Sequence, residues 1–136
     1  MARVLFVCTQ NAGRSQMSQA LFEQIADGHH ESRSAGTQPA EQVHRVVVAA
    51  MLEQGIDLSR RRPQKLTGEL AKWADVVVTM GCADECPYIP GKKYIDWDLT
   101  DPADQPPDAV RAIRDEINTR VKQLARDLDS ASVASG

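Results

Sequence analysis

The chain has 136 residues and a mass of 14.9 kDa, which allows one domain and leaves no room for a second at roughly 100–200 residues per domain. Apolar residues make up 42% of the chain and charged residues 26%, as in ordinary globular proteins, so a disordered or fibrous chain is excluded. The 16 basic and 19 acidic residues give a net charge of −3, which disfavours nucleic acid as a partner.

The N-terminal segment contains one short apolar run, residues 4–7. This run is too short for a signal-peptide core or a membrane span, so we expect a cytoplasmic protein that does not contact membranes. The chain has three cysteines, Cys8, Cys82 and Cys86. In a reducing compartment, thiols are more often catalytic or metal-binding than structural. An odd number also cannot pair completely within one chain.

The first predicted elements are a buried strand, a polar loop and a helix. Residues 3–7 are β-prone and almost entirely apolar, which is typical of a strand covered on both faces. From Ser15 onward, apolar residues recur at four-residue spacing, which predicts a helix that ends near residues 27–28.

The later elements continue this alternation of strands and helices. We predict a strand at 31–34, a helix from about 41 to 54, a short helix at 68–74, a buried strand at 75–80 and a weaker strand at 94–97. From Pro107 to Leu128, apolar residues advance by three or four positions, which predicts a long terminal helix. We therefore expect one three-layer α/β domain over residues 1–129, with a mostly parallel four-stranded sheet flanked by helices, and a flexible tail over 130–136.

The loop between the first strand and the first helix predicts an oxyanion site. Residues 8–15 have the sequence Cys-Thr-Gln-Asn-Ala-Gly-Arg-Ser. Amides of a loop that curls before a helix bind tetrahedral anions, and the helix terminus adds a partial positive charge. We expect Gly13 to take the positive φ that a tight curl needs, and Arg14 to offer two parallel N–H bonds. The predicted anion-binding residues are Thr9, Gln10, Asn11, Ala12, Gly13 and Arg14.

Cys8 lies at the base of this loop. The positive field of the loop favours its thiolate, which would make Cys8 a nucleophile aimed at the bound anion. We expect Ser15 to donate a hydrogen bond to the thiolate, and Asn11 to brace the loop through side-chain bonds to the backbone. The alternative is that Cys8 is a small buried apolar residue, but that reading does not explain Gly13 and Arg14 in this register.

The sequence resembles the low-molecular-weight protein tyrosine phosphatases and, more narrowly, their arsenate reductase branch. The resemblance covers about residues 3–128, and three segments carry it: residues 4–17, residues 34–37 and Asp101-Pro102. It implies a phosphatase-like fold, with Cys8 as nucleophile, Arg14 as oxyanion clamp and Asp101 as general acid on a loop.

Cys82 and Cys86 follow the second buried strand, so we expect them at the same edge of the sheet as Cys8. The resemblance to triple-cysteine, thioredoxin-coupled arsenate reductases implies a relay of thiols. In this relay Cys8 attacks arsenate, Cys82 attacks Cys8 and releases arsenite, and Cys86 then forms a disulfide with Cys82 that thioredoxin reduces. Only three residues separate Cys82 from Cys86, fewer than in the best-known members. A small thiol, mycothiol acting with mycoredoxin, is the alternative electron donor.

Two other functions stay open. A phosphatase of phosphotyrosine or small phosphate monoesters would use Cys8, Arg14 and Asp101 alone, but it needs aromatic walls, and only 4% of the residues are aromatic. A sensing module would bind an oxyanion without turnover.

The cysteines and histidines also allow a zinc site. Cys82 and Cys86 could bind zinc together with His29, His30 or His44, although one loose cysteine pair is a weak zinc signal. We expect no resident metal and no bound cofactor, arsenate and thioredoxin as partners, and a monomer. Basic clusters such as the three arginines at 60–62 are most often simply solvated. This cluster could also steer an anion or a partner protein toward the site.

Overall fold

The structure is a computed structural model that describes residues 1–81 and 91–135. The elements in chain order are β1 (Arg3–Cys8), α1 (Arg14–Ala26), β2 (Glu31–Gly36), α2 (Arg45–Leu52), α3 (Gly68–Trp73), β3 (Val76–Thr79), β4 (Lys93–Asp96) and α4 (Pro107–Ser135). Strands and helices alternate over the first part of the chain, as the apolar pattern predicts.

The four strands form one parallel sheet in the order β2-β1-β3-β4. β1 pairs with β2 up to Cys8↔Gly36, and with β3 up to Val7↔Thr79. Because all strands are parallel, their carboxyl ends lie along one edge, where ligands of such sheets bind. The predicted α/β fold with a parallel four-stranded sheet is confirmed, and Cys8 lies at the end of a central strand.

The side chains of β1 alternate between two apolar cores. Val4, Phe6 and Cys8 face the larger core, which packs under α1, α2 and α4, whereas the intervening residues face a smaller core beside α3. The rings of Phe6 and Phe22 meet edge to face with centroids 5.6 Å apart. Burial of one such aromatic side chain contributes about 1.5–3 kcal/mol. This packing fixes the register of β1 and therefore the position of Cys8.

Helix α2 begins at Arg45, later than the apolar pattern predicts, and ends at Leu52. The expectation of a helix from about residue 41 is wrong because the preceding segment bonds to the loop after β1 instead. The Ala40 amide donates to the Gln10 carbonyl, and the His44 amide donates to the Ala12 carbonyl. The spacing of apolar residues in the sequence does not show that these backbone amides bond to another segment.

Helix α4 continues to Ser135, past the end of its predicted apolar stripe at Leu128. The backbone of residues 130–135 is therefore helical, where the composition suggested a flexible tail, because a long helix propagates without needing a new nucleus. The division of the chain at residue 129 stays a prediction. No helix within the described ranges, α4 included, is long and apolar enough to cross a membrane.

Candidate active site

The loop of residues 8–15, called here the oxyanion loop, is held from outside by the segment 37–44. Four amides of this segment donate to loop carbonyls at 2.8–3.2 Å: Thr37 to Cys8, Gln38 to Thr9, Ala40 to Gln10 and His44 to Ala12. These bonds turn the carbonyls away from the centre of the loop. The amides of Ala12, Gly13 and Arg14 have no acceptor in the ranges that the structure describes, so they are free to bind an anion.

Cys8 is buried, with 2% of its surface exposed. Its Sγ atom lies 2.8 Å from Ser15 Oγ and 3.3 Å from the Asn11 amide, which donates to it. Asn11 Nδ2 donates to Ser15 Oγ at 2.7 Å, which leaves the Ser15 proton free to point at the sulfur. The predicted contact between Ser15 and Cys8 is therefore present.

Asn11 supplies the positive φ of the loop. Its φ is 51°, in the left-handed region, which asparagine tolerates better than most residues. Its Oδ1 accepts from Gln16 Nε2 at 3.1 Å and from the Gln64 amide at 2.9 Å. The expectation that Gly13 has a positive φ is wrong, since its φ is −143°. The positive φ of the loop is instead found at Asn11, whose side chain also holds the loop in place through hydrogen bonds.

Gly13 is needed for space rather than for backbone freedom. A Cβ atom at this position would lie 2.7 Å from Cγ of Pro102, which is too close for two carbon atoms. Pro102 belongs to the loop of residues 97–105 after β4, called here the acid loop. The missing side chain at Gly13 thus allows the acid loop to rest on the start of α1.

Arg14 joins the oxyanion loop to the acid loop. Its side chain is 10% exposed, Nη1 donates to the Leu99 carbonyl at 3.2 Å, and Nη2 lies 3.5 Å from Asp101 Oδ2. Gly81 has a φ of +86°, and a Cβ atom there would lie 2.7 Å from Arg14 Cζ. A glycine after β3 is therefore required to accommodate the guanidinium group.

Asp101 faces Arg14 from the acid loop. Its side chain is 53% exposed, and its Oδ1 accepts from the Ala103 amide at 3.0 Å. Asp96, another carboxylate near this loop, instead accepts from Thr79 Oγ1 at 2.8 Å. The structure therefore places Asp101, the carboxylate that the family resemblance selects, beside Arg14 and within reach of solvent.

Cys82 and Cys86 lie outside the described residues. The chain enters their segment at Gly81, whose carbonyl accepts from Thr9 Oγ1 at 3.1 Å. Thr9 therefore ties the end of β3 to the oxyanion loop.

One of the three histidines considered as zinc ligands, His30, is not free to bind a metal. His30 Nδ1 accepts from the Ala2 amide at 3.0 Å, so its Nε2 carries a proton and donates to Asp129 at 2.8 Å. Both ring nitrogens are thus engaged between the start of β1 and α4. Within the described ranges, no three His, Cys, Asp or Glu side chains converge as a metal site would require.

The family model for low molecular weight phosphotyrosine protein phosphatases matches residues 3–134. The chain belongs to this family. The resemblance of the sequence to this family is therefore confirmed.

Some relatives of this chain are named as arsenate reductases and others as phosphatases. A putative arsenate reductase of Halobacterium salinarum is 42% identical over 124 residues, covering 88% of this chain and 87% of its own. The thioredoxin-dependent arsenate reductase Cg_ArsC1' of Corynebacterium glutamicum superposes with a TM-score of 0.82 at 37% identity, over 96% of this chain and 63% of its own, so this chain spans less than two thirds of it. The arginine phosphatase YwlE of Geobacillus stearothermophilus has a TM-score of 0.88 at 30% identity, over 100% and 98% of the two chains.

Some residues that shape this phosphatase-family site could not be assigned to it from the sequence. They are Gln16, Gly36, His44, Gln64, Gly81 and Leu99. Gly36 is an example, because a Cβ atom there would lie 2.6 Å from the Thr9 carbonyl oxygen. A glycine at the end of a predicted strand indicates close backbone approach, but it does not indicate which backbone approaches.

Proposed function

We propose that the protein is an arsenate reductase. The observation that supports this best is the arrangement around Cys8: a buried thiol beside free loop amides, with Arg14 and Asp101 closing the same site. That arrangement suits nucleophilic attack on a tetrahedral oxyanion. The two further cysteines after β3 are thiols that a phosphatase does not need. Because several relatives are named as arsenate reductases, we propose that these thiols supply the electrons that reduce arsenate.

In the first step, Cys8 Sγ attacks the arsenic atom of arsenate. A sulfur–arsenic bond forms, one arsenic–oxygen bond breaks, and the oxygen leaves as water after Asp101 donates a proton. Arg14 and the loop amides bind the remaining oxygens. Arsenate that pairs with Arg14 takes the place of Asp101 as its anionic partner.

The second stage transfers two electrons from thiols to arsenic. The Cys82 thiolate attacks Cys8 Sγ, a Cys8–Cys82 disulfide forms, and the electron pair of the sulfur–arsenic bond stays on arsenic, which leaves as arsenite. The Cys86 thiolate then attacks Cys82, which frees Cys8 and forms a Cys82–Cys86 disulfide. Arsenic gains two electrons and the protein loses two, so each turnover needs one external dithiol.

We propose thioredoxin as that dithiol, with mycothiol and mycoredoxin as the alternative. The Corynebacterium relative is named thioredoxin-dependent, and a Synechocystis relative that is 32% identical over 127 residues is named a glutaredoxin arsenate reductase. Electron donors thus differ within this group of proteins. We further propose that the protein acts as a cytoplasmic monomer.

The test supplies the protein with arsenate, thioredoxin, thioredoxin reductase and NADPH. We expect NADPH oxidation that depends on arsenate and that disappears in Cys8→Ser. Absence of this oxidation in the wild-type chain would contradict the thioredoxin coupling. A Cys82→Ser variant that still turns over with mycothiol and mycoredoxin would show that the thiol relay is dispensable.

A phosphatase is the second candidate function. The arginine phosphatase YwlE superposes over the whole chain, and Cys8, Arg14 and Asp101 suffice for phosphate ester hydrolysis. Against an aromatic substrate, Phe6, Phe22 and Trp97 are buried in the larger core, and Trp73 and Tyr94 pack against the smaller core beside α3. Rapid hydrolysis of an aryl phosphate by the Cys82→Ser variant would favour the phosphatase.

A further inference from the structure

A groove of about 1010 Å³ runs along the outer face of α2 and has no part in the reaction described above. It lies between α2 and the segment 58–62, and residues 41–43 line its remaining side. We call it the α2 groove. The arginine cluster at 60–62 belongs to its wall.

The floor of the α2 groove includes apolar side chains that water reaches. Leu52 is 53% exposed and, with Met1, is one of only two large apolar side chains exposed in the described ranges. Val48 and Ala49 lie one turn before Leu52 and also line the groove. An exposed apolar patch with a polar border is typical of a protein contact site.

The border of the α2 groove is strongly basic. Four arginines line it, at positions 45, 60, 61 and 62, against a single carboxylate, Glu41. Arg61 is held by Gln19 and Glu23, whereas Arg45 and Arg62 have no ion pair within the described ranges. The whole chain carries a net charge of −3, so this face has the opposite sign to the average surface. Its electrostatic complement is an acidic partner.

The α2 groove lies next to the oxyanion loop. Residues 41–43 are flanked by Ala40 and His44, whose amides donate to the loop carbonyls of Gln10 and Ala12. A protein seated in the groove would therefore contact the segment that holds the oxyanion loop from outside. The groove is open to solvent, unlike most small-molecule sites, which enclose their ligand.

We propose that the α2 groove docks thioredoxin through carboxylates that surround an apolar patch on that protein. This inference rests on the proposed thioredoxin coupling. An apolar centre with an arginine border is the composition of protein interfaces. In the docked complex the thioredoxin dithiol is oxidised to a disulfide while the Cys82–Cys86 disulfide is reduced to two thiols, so electrons and protons balance.

The test is the double variant Arg45→Glu/Arg60→Glu, assayed with thioredoxin as the varied substrate. Both side chains are exposed, and a carboxylate at position 45 lies in the first turn of α2, where the helix dipole favours it, so the fold should persist. The matched control, Lys122→Glu/Arg126→Glu, makes the same charge change on exposed positions of α4. We expect the KM for thioredoxin to rise about ten-fold in the groove variant with kcat unchanged, and to stay near the wild-type value in the control.

Two further measurements separate the possible failures. Single-turnover arsenate reduction by pre-reduced enzyme, which needs no thioredoxin, should be the same in both variants and in the wild type. The wild-type KM should rise with salt, and this dependence should weaken in the groove variant. An unchanged KM in the groove variant, with thioredoxin reducing the wild type normally, overturns the docking role alone. A wild type that thioredoxin does not reduce overturns the thioredoxin coupling, and the docking role with it.

Discussion

The oxyanion loop and the acid loop face each other across Arg14 but are held in place differently. In the oxyanion loop, Asn11 is fully buried and its side chain bonds to Ser15, Gln16 and Gln64, while four carbonyls are bonded from outside. In the acid loop, Asp101 is half exposed and is held by one amide of its own turn and by the distant Nη2 of Arg14.

The difference matches the two roles that we propose for these loops, binding the oxyanion and donating a proton. Amides that stabilise a developing oxyanion must be in position before the substrate arrives, because reorganisation during the reaction would cost part of the stabilisation. A proton donor must instead recover its proton from water after each turnover. The buried loop thus suits the bonds that form to the anion, and the exposed loop suits the proton that moves.

The largest expected effect follows from replacing Arg14, which belongs to the oxyanion loop and contacts the acid loop. Arg14→Lys keeps the charge but loses the planar pair of N–H donors, so we expect kcat/KM for arsenate to fall about 10³-fold. Arg126→Lys, at an exposed position of α4, is the control and should change kcat/KM by less than about two-fold. Retention of most of the activity by the lysine variant would mean that point charge alone holds the anion.

Asp101→Asn tests the exposed loop by itself. We expect kcat to fall about 10²-fold, at the low end for a general acid, because water reaches this position and can donate a proton in its place. Asp104→Asn is the matched control, since Asp104 has a φ of 60° that asparagine also tolerates. Equal losses in the two variants would contradict the assignment of Asp101.

Asn11→Ala tests the buried loop through stability. The change removes an acceptor of two hydrogen bonds and leaves alanine at positive φ, so we expect the free energy of unfolding to fall by about 2–4 kcal/mol in urea titrations. Asn11→Gly removes the same side chain but accepts the backbone angle, and should recover about 1 kcal/mol of the loss. No difference between the two variants would show that the φ of Asn11 costs nothing.

The smallest effect lies far from both loops, at the contact between α2 and α4. Hydrogen bonds from Arg111 and Arg114 lower the pKa of Glu53 from 4.5 to about 2. A carboxylate with a lowered pKa stabilises the fold above its unfolded pKa, and this contribution is lost as the pH falls from 4.5 toward 2. Thermal melts should therefore show a steeper loss of stability over this pH range in the wild type than in Glu53→Gln. Parallel curves would exclude Glu53 as a source of acid sensitivity.

The sequence was sufficient to predict the parts of the site that depend on local pattern. A buried strand, a loop with Gly13 and Arg14, and a helix start at this spacing place Cys8 at a sheet edge, and the structure has this arrangement. The all-parallel sheet follows from the same alternation of apolar strands and helices. These features depend on residues close to one another in the chain, so a single sequence contains them.

Contacts between distant residues could not be predicted in the same way. Arg14 bonds to Leu99, 85 positions away, and Gly81 is required by the same guanidinium group. Gly13 is required because of Pro102, and the side chain of Asn11 accepts from the Gln64 amide, so both loop residues depend on partners from other parts of the chain. The start of α2 likewise depends on carbonyls of the oxyanion loop that compete for its amides.

The place of β1 between β2 and β3 determines how the protein opens. Because the backbone of β1 is hydrogen-bonded on both sides, the amides of residues 4–7 should exchange with deuterium only through global unfolding, whereas those of the acid loop should exchange through local fluctuations. Cys8, the proposed nucleophile, is thus expected to follow a slowly exchanging strand, whereas Asp101, the proposed proton donor, is expected to lie in a faster-exchanging loop. A single exchange experiment would therefore compare the opening free energies of the two segments.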